Sequence, residues 1–115
     1  MKLRELFKEI RYVGEAEGDR NTYYTFEANK CYLVLAPNTK RGYYLNIVER
    51  EAPDAITKEF KGQRVTSTLL SSKARRRDLF PKPLIALNAL YVTVALRRAR
   101  KLKQRDGRSI VFKIR

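Results

Sequence analysis

Apolar and polar positions along this chain follow more than one period. Over residues 2–11, Leu3, Leu6, Phe7 and Ile10 recur at helical spacing among Lys2, Arg4, Glu5, Lys8 and Glu9, which predicts a short amphipathic helix. VGEAEGDRN, residues 13–21, carries two Gly and three acids without periodicity and reads as a loop. Three runs rich in aromatic and β-branched residues follow: TYYTFEA at 22–28, CYLVLA at 31–36 and GYYLNIV at 42–48. Asn29-Lys30 and PNTKR separate them at hairpin distances, so the expectation is a three-stranded antiparallel meander.

Helical signals then return. In EREAPDAITKEFKG, Pro53 suits a first helical position, Asp54 adds favourable negative charge to the first turn and Gly62 can close the far end. A helix from about Pro53 to Lys61 is predicted. QRVTS is a short β-branched segment, after which Thr66, Ser67 or Thr68 can cap a short helix carrying Leu69 and Leu70. KARRRD reads as a basic surface loop. Beyond Pro81 and Pro83, residues 84–98 contain no Gly or Pro, long enough for a helix despite Val92, Thr93 and Val94.

The last stretch, RRARKLKQRDGRSIVFKIR at 97–115, sets nine Lys and Arg against Asp106 alone. Parity bears on whether it is a loose arm or a hairpin, because strand side chains alternate faces. A two-residue turn at Asp106-Gly107 would set Lys103 against Ile110, on the apolar face. A three-residue loop, Arg105-Asp106-Gly107, pairs Leu102 with Ile110, Lys101 with Val111 and Arg100 with Phe112. That gathers Leu102, Ile110, Phe112 and Ile114 on one face and Lys101, Lys103 and Lys113 on the other. Gly107 would take the left-handed final loop position, with Arg105 and Arg108 at or beside the tip. The alternative is a helix running on from residue 84 and fraying at Gly107.

Composition narrows the class. The chain has 115 residues, 43% hydrophobic, enough for one globular domain and too few for two independent ones. Within it, residues 1–50 form a helix-plus-meander module and residues 53–115 a second module. No apolar run approaches the roughly 18 residues of a membrane span, and MKLRELFKEIR lacks the apolar region of a signal peptide; a cytoplasmic protein is expected. Cys31 is the single cysteine and His is absent, so no internal disulfide or Cys/His metal cluster can form, and the commonest general base is missing. Neither metal, cofactor nor catalysis is expected.

Charge changes the picture most. Net charge is +14, yet residues 1–57 hold nine Lys/Arg and nine Asp/Glu, while residues 58–115 hold 17 and three. Such lopsidedness suits a polyanion-binding surface, and with no basic amphipathic helix or lipidation signal to favour anionic lipid, nucleic acid is the expected partner. Candidate contacts are Lys73, Arg75, Arg76, Arg77 and Lys82 before the long helix, Arg97 and Arg98 at its end, and Lys101, Lys103, Arg105, Arg108 and Lys113 in the hairpin.

The order helix, short β segment, helix, long helix and hairpin over about residues 53–115, together with LRRARKLKQRDGRSIVFKI, resembles the winged-helix variant of the helix-turn-helix domain. The resemblance implies a winged-helix-like three-helix unit with a C-terminal β-hairpin wing; joined to the N-terminal helix and three-stranded antiparallel meander, which have no counterpart in that family, it makes the expected fold α+β. It implies double-stranded DNA as partner, with the third helix reading base edges and the wing cations contacting phosphate. Ser67, Thr68, Ser71 and Ser72 would add hydroxyl contacts to phosphate. A small transcriptional regulator or DNA-organising factor is the implied function.

One feature departs from that pattern. LIALNALYVTVAL is apolar almost all round, with Asn88 and Thr93 its strongly polar positions, whereas a base-reading helix shows a polar face. Such a helix belongs in a core or an interface, which predicts a homodimer in which this helix, or the N-terminal module, meets its twin. Other classes compete. An RNA-binding or ribosome-associated protein accounts for the same charge, and Tyr23, Tyr24, Tyr43 and Tyr44 could stack unpaired bases, although neighbours on a strand point to opposite faces. Asp19, Glu27 and Lys30 loosely match the two carboxylates and lysine of Mg-dependent nucleases, but Glu27-Ala28-Asn29-Lys30 is one residue longer than the expected Glu-x-Lys spacing.

Overall fold

The computed structural model of the chain describes residues 9–38 and 40–115. Its N-terminal half differs from the expected helix and three-stranded meander. The described residues open on a four-stranded antiparallel sheet, β1 (Arg11–Glu17), β2 (Thr22–Glu27), β3 (Cys31–Pro37) and β4 (Tyr43–Glu49), in the order β1-β2-β3-β4. Residues 2–8 of the predicted helix lie outside the described residues, and Arg11, its last member, already belongs to β1. The segment read as a loop supplies this extra strand. Its acids, Glu15 and Glu17, point to solvent while Ala16 is buried, and a bulge falls between Tyr12 and Gly14. Polar residues and a bulge are what an edge strand carries, and they hid its period.

The second half follows the predicted order. Helix α1 (Ala52–Phe60) starts with Pro53 in its first turn and buries Ala52, Pro53, Ile56 and Phe60. Gly62, at φ 78°, lets the chain reverse, and its N–H donates to Ile114 O at 2.9 Å. After β5 (Arg64–Val65), Thr66 caps α2 (Ser67–Lys73), its Oγ1 accepting from Leu69 N at 3.1 Å. A 3-10 turn at Arg77–Leu79 leads to α3 (Pro83–Ala95), then β6 (Ala99–Asp106) and β7 (Ser109–Ile114). The second sheet is antiparallel, in the order β5-β7-β6.

Helix α3 ends three residues before the predicted Arg98. Arg97 N–H donates to Val94 O and Arg98 N–H to Thr93 O, and Arg97 takes φ 62°. This is the left-handed termination usually given to glycine, here imposed on an arginine whose Cβ crowds the backbone in that conformation.

The same helix is the centre of the molecule. Ala86, Asn88–Thr93 and Ala95 are buried, Asn88 and Thr93 turning their polar groups inward to Leu84 O and Ala89 O. The four-stranded sheet lies directly across it. Tyr23 of β2 stacks on Tyr91 at 4.1 Å between centroids, and Tyr91 meets Phe112 of β7 edge-on at 5.7 Å. Burial pushes the Tyr91 hydroxyl pKa up. One buried cluster thus runs from Ala16, Val34 and Val48 through Leu90 and Val92 to Phe112 and Ile114. The cover that an all-apolar helix requires comes from the chain's own N-terminal sheet. No helix among the described residues is long and apolar enough to cross a membrane.

Candidate nucleic-acid interface

The hairpin closes one step away from the predicted loop. Asp106 pairs with Ser109 around a two-residue turn, Gly107-Arg108, in which Gly107 holds the first position at φ 61°. Arg105 then faces Ile110, and an irregularity between Lys101 and Arg105 resets the register so that Lys101 faces Phe112, Arg100 faces Lys113 and Ala99 faces Ile114. Parity predicted Arg100 opposite Phe112 and Lys101 on the outer face. The shifted turn exchanges their places: Ala99 and Lys101 share the inner side with Phe112 and Ile114, Arg100 turns outward, and the irregularity slides it into register with Lys113.

The exchange creates a row of three cations. Arg64 of β5 is paired with Lys113 of β7, and Lys113 with Arg100 of β6. They lie on the face opposite Val65, Phe112 and Ile114, which are buried. Neighbouring strands are about 4.8 Å apart, and like charges set directly opposite across a sheet oppose its formation. Lys113 offsets part of this by donating from Nζ to Gly62 O at 2.6 Å. Arg64 and Arg100 were missed in the sequence. Carrying QRVTS into the hairpin sheet as a third strand would have exposed Arg64, whereas nothing in the sequence marked the bulge that brings Arg100 opposite Lys113.

Beside the hairpin, a cleft of about 750 Å³ gathers Arg97, Arg100, Lys101, Lys103, Arg105 and Arg115 against Glu17 and Asp19. Asp19, in the β1–β2 turn, accepts from Lys101 Nζ at 2.8 Å and from the Arg105 guanidinium. Hydrogen bonds from Lys101 first and Arg105 second hold its carboxyl below the usual carboxylate range. Two cations converging on one carboxylate form a geometry that a phosphate oxygen could occupy in its place. Arg105 also donates to Arg108 O, leaving the Arg108 side chain exposed at the hairpin tip.

The remaining predicted residues divide. Lys73, the last residue of α2, is exposed, as are Arg77 and Lys82 on the segment between α2 and α3. Arg75 and Arg76 instead line a groove beside α1 with Glu51, Asp54 and Glu59. Arg76 is paired with Asp78 and, at 3.0 Å, with Glu51, and these two carboxylates raise its pKa. Arg75 N–H donates to Glu59 Oε1 at 2.8 Å, and Arg98 pairs with Asp54. Acidic groups at and around α1 therefore already engage Arg76 and Arg98. Two hydroxyls of α2 are likewise used locally: Ser71 and Ser72 both donate to Thr68 O.

Asp19, Glu27 and Lys30 do not form one site. Asp19 sits in the β1–β2 turn, and Glu27 at the opposite end of β2, bound by Arg50 at 2.7 Å and Arg11 at 2.9 Å. Among the described residues no group of three or more His, Cys, Asp or Glu is placed to hold a metal ion. Of the tyrosines, Tyr23 faces the core and stacks on Tyr91, while Tyr43 and Tyr44 are both exposed at the start of β4. Comparison with known protein families, curated proteins and solved structures finds no match for this chain.

Proposed function

We propose that this chain is a small basic DNA-binding protein built on a winged-helix-like unit, a DNA-organising factor or transcriptional regulator without catalysis. It holds duplex DNA through the phosphate backbone. The observation that carries this reading is the row Arg64, Lys113 and Arg100: three cations in cross-strand register, a costly arrangement that a polyanion relieves. The order α1, β5, α2, α3, β6, β7 supports the winged-helix resemblance, with the β6–β7 hairpin as the wing. In that family the third helix reads bases. Here its counterpart, α3, lies in the core, so binding rests on phosphate contacts and duplex shape rather than on base edges.

The test is fluorescence anisotropy with labelled random duplexes at two salt concentrations, with unlabelled structured RNA and single-stranded DNA as competitors. The double variant Arg64→Ala with Arg100→Ala should weaken binding to all duplexes alike and flatten the dependence of log K on log salt by about 0.9 for each phosphate that the variant no longer neutralises. Unchanged affinity and slope in this variant would remove the basis of the proposal. Preferential displacement by RNA would transfer the surface to the RNA-binding class.

A further inference from the structure

The two edges of the four-stranded sheet differ. β1 bears Arg11, Glu15 and Glu17 and a bulge between Tyr12 and Gly14, devices that stop an edge from acquiring another strand. β4, Tyr43-Tyr44-Leu45-Asn46-Ile47-Val48-Glu49, is in unbroken register with β3 over its whole length, has no lysine or proline, and carries charge only at its last residue. Tyr43, Leu45 and Ile47 alternate on its outer face, each about half exposed, and Tyr44 and Leu84 at the start of α3 are as open. Among the described residues no backbone group forms a hydrogen bond to its free side.

We infer that two copies of this chain pair antiparallel through β4, joining their four-stranded sheets into one across a two-fold axis at Asn46. Charge identifies a second copy as the occupant. β4 follows the basic pair Lys40-Arg41 and runs into Glu49-Arg50-Glu51, whose arginine is turned back to Glu27 at 2.7 Å. Antiparallel pairing about Asn46 brings the basic end of each strand to the acidic end of the other. Tyr43 then faces Glu49, and the turn carrying Arg41 comes to the end of the partner strand where Glu51, already bound to Arg76, stands just before α1. Leu45 faces Ile47 twice, closing one apolar strip on the outer face, and a slip of one residue would break that match. Residues 1–57 carry equal numbers of basic and acidic groups, so the copies approach through their neutral halves and the excess of +14 stays away from the contact. A two-fold contact of this kind closes on itself and stops at the dimer.

Light scattering on the whole chain should give twice its 13.5 kDa mass. In a Cys31→Ser background, Asn46→Cys should give a disulfide-linked dimer on mild oxidation, because a residue facing its own copy across antiparallel strands has its Cβ atoms roughly 4.5–5.5 Å apart. Tyr12→Cys on the β1 edge in the same background should stay monomeric on denaturing gels. Leu45→Lys with Ile47→Lys, at exposed positions, should yield a folded monomer by circular dichroism and scattering. A wild-type chain that is monomeric at all concentrations overturns the inference. So does a dimer that survives the double lysine variant, equal cross-linking from both cysteine positions, or open-ended polymers. None of these outcomes depends on nucleic acid, so the dimer and the DNA-binding proposal can fail separately.

Discussion

Gly14→Ala tests how closely the N-terminal sheet lies on α3. A methyl group on Gly14 would sit 2.8 Å from the carbonyl oxygen of Ala95, and ordinary contact begins near 3.4 Å. The obstruction is backbone at the end of a helix, so no rotamer change relieves it, and β1 must lift by several tenths of an ångström. Overpacking of this kind costs about 1–3 kcal/mol. Against it, replacing glycine where the backbone is permitted to alanine stabilises by about 0.4–1 kcal/mol, by restricting the unfolded chain. The net expectation is a loss of about 1–2 kcal/mol, or roughly 4–8 °C in Tm for a domain of this size. Thermal melts by circular dichroism, with urea unfolding to check that the m-value holds, measure it directly. An unchanged or raised Tm would mean that the sheet does not press on α3, and the explanation given for that helix's burial would fall with it.

Four further outcomes follow from the same structure. Arg97→Gly, removing a side chain from a left-handed position, should raise stability by about 1 kcal/mol while weakening duplex binding in titrations; a lower Tm would contradict the helix-end geometry. Asp19→Asn should tighten binding at low salt and steepen the salt dependence by up to about 0.9 for each phosphate that Lys101 and Arg105 are freed to neutralise, and weaker binding would show that Asp19 positions these cations rather than occupying them. Thr25 is fully buried with its Oγ1 unpartnered, so Thr25→Val should be neutral or stabilising by up to about 1 kcal/mol in urea melts, and a marked loss would reveal a hidden partner. Glu27 is held below its ordinary value of 4.5 by Arg50 and then Arg11. A depressed carboxylate stabilises the fold above its unfolded pKa and loses that contribution as pH falls through the folded value. The difference in stability between wild type and Glu27→Gln should therefore be at most about 1 kcal/mol at neutral pH and vanish as pH drops through the folded value, which lies below 4.5; a difference that persists in acid would assign it to packing.

Elements bounded by strong local chemistry were legible in the sequence: Pro53 and Gly62 framed α1, Thr66 capped α2 and Pro83 opened α3. What escaped depended on distant partners. β1 looked like a loop because its acids face water and only its pairing with β2 makes it a strand. The end of α3 was missed because Arg97 stands where a glycine would have signalled the stop. The hairpin register was missed because a lysine on the apolar side argued against it, whereas Lys101 does lie opposite Phe112, its ammonium reaching out to Asp19. That shift of register also concealed Arg100. The all-apolar character of α3 did announce that something covers it, but what covers it is a matter of tertiary assembly.

If the second half is the winged-helix-like unit proposed above, enclosing α3 removes the element through which such a unit spells out a site. On the proposed reading, the protein would follow polymer charge and groove geometry, and its occupancy along a genome would track how much bare backbone is on offer, not which letters lie beneath. Recovering an address would require either a second reader bound alongside or lifting the whole β1–β4 sheet, an opening comparable in scale to unfolding the domain.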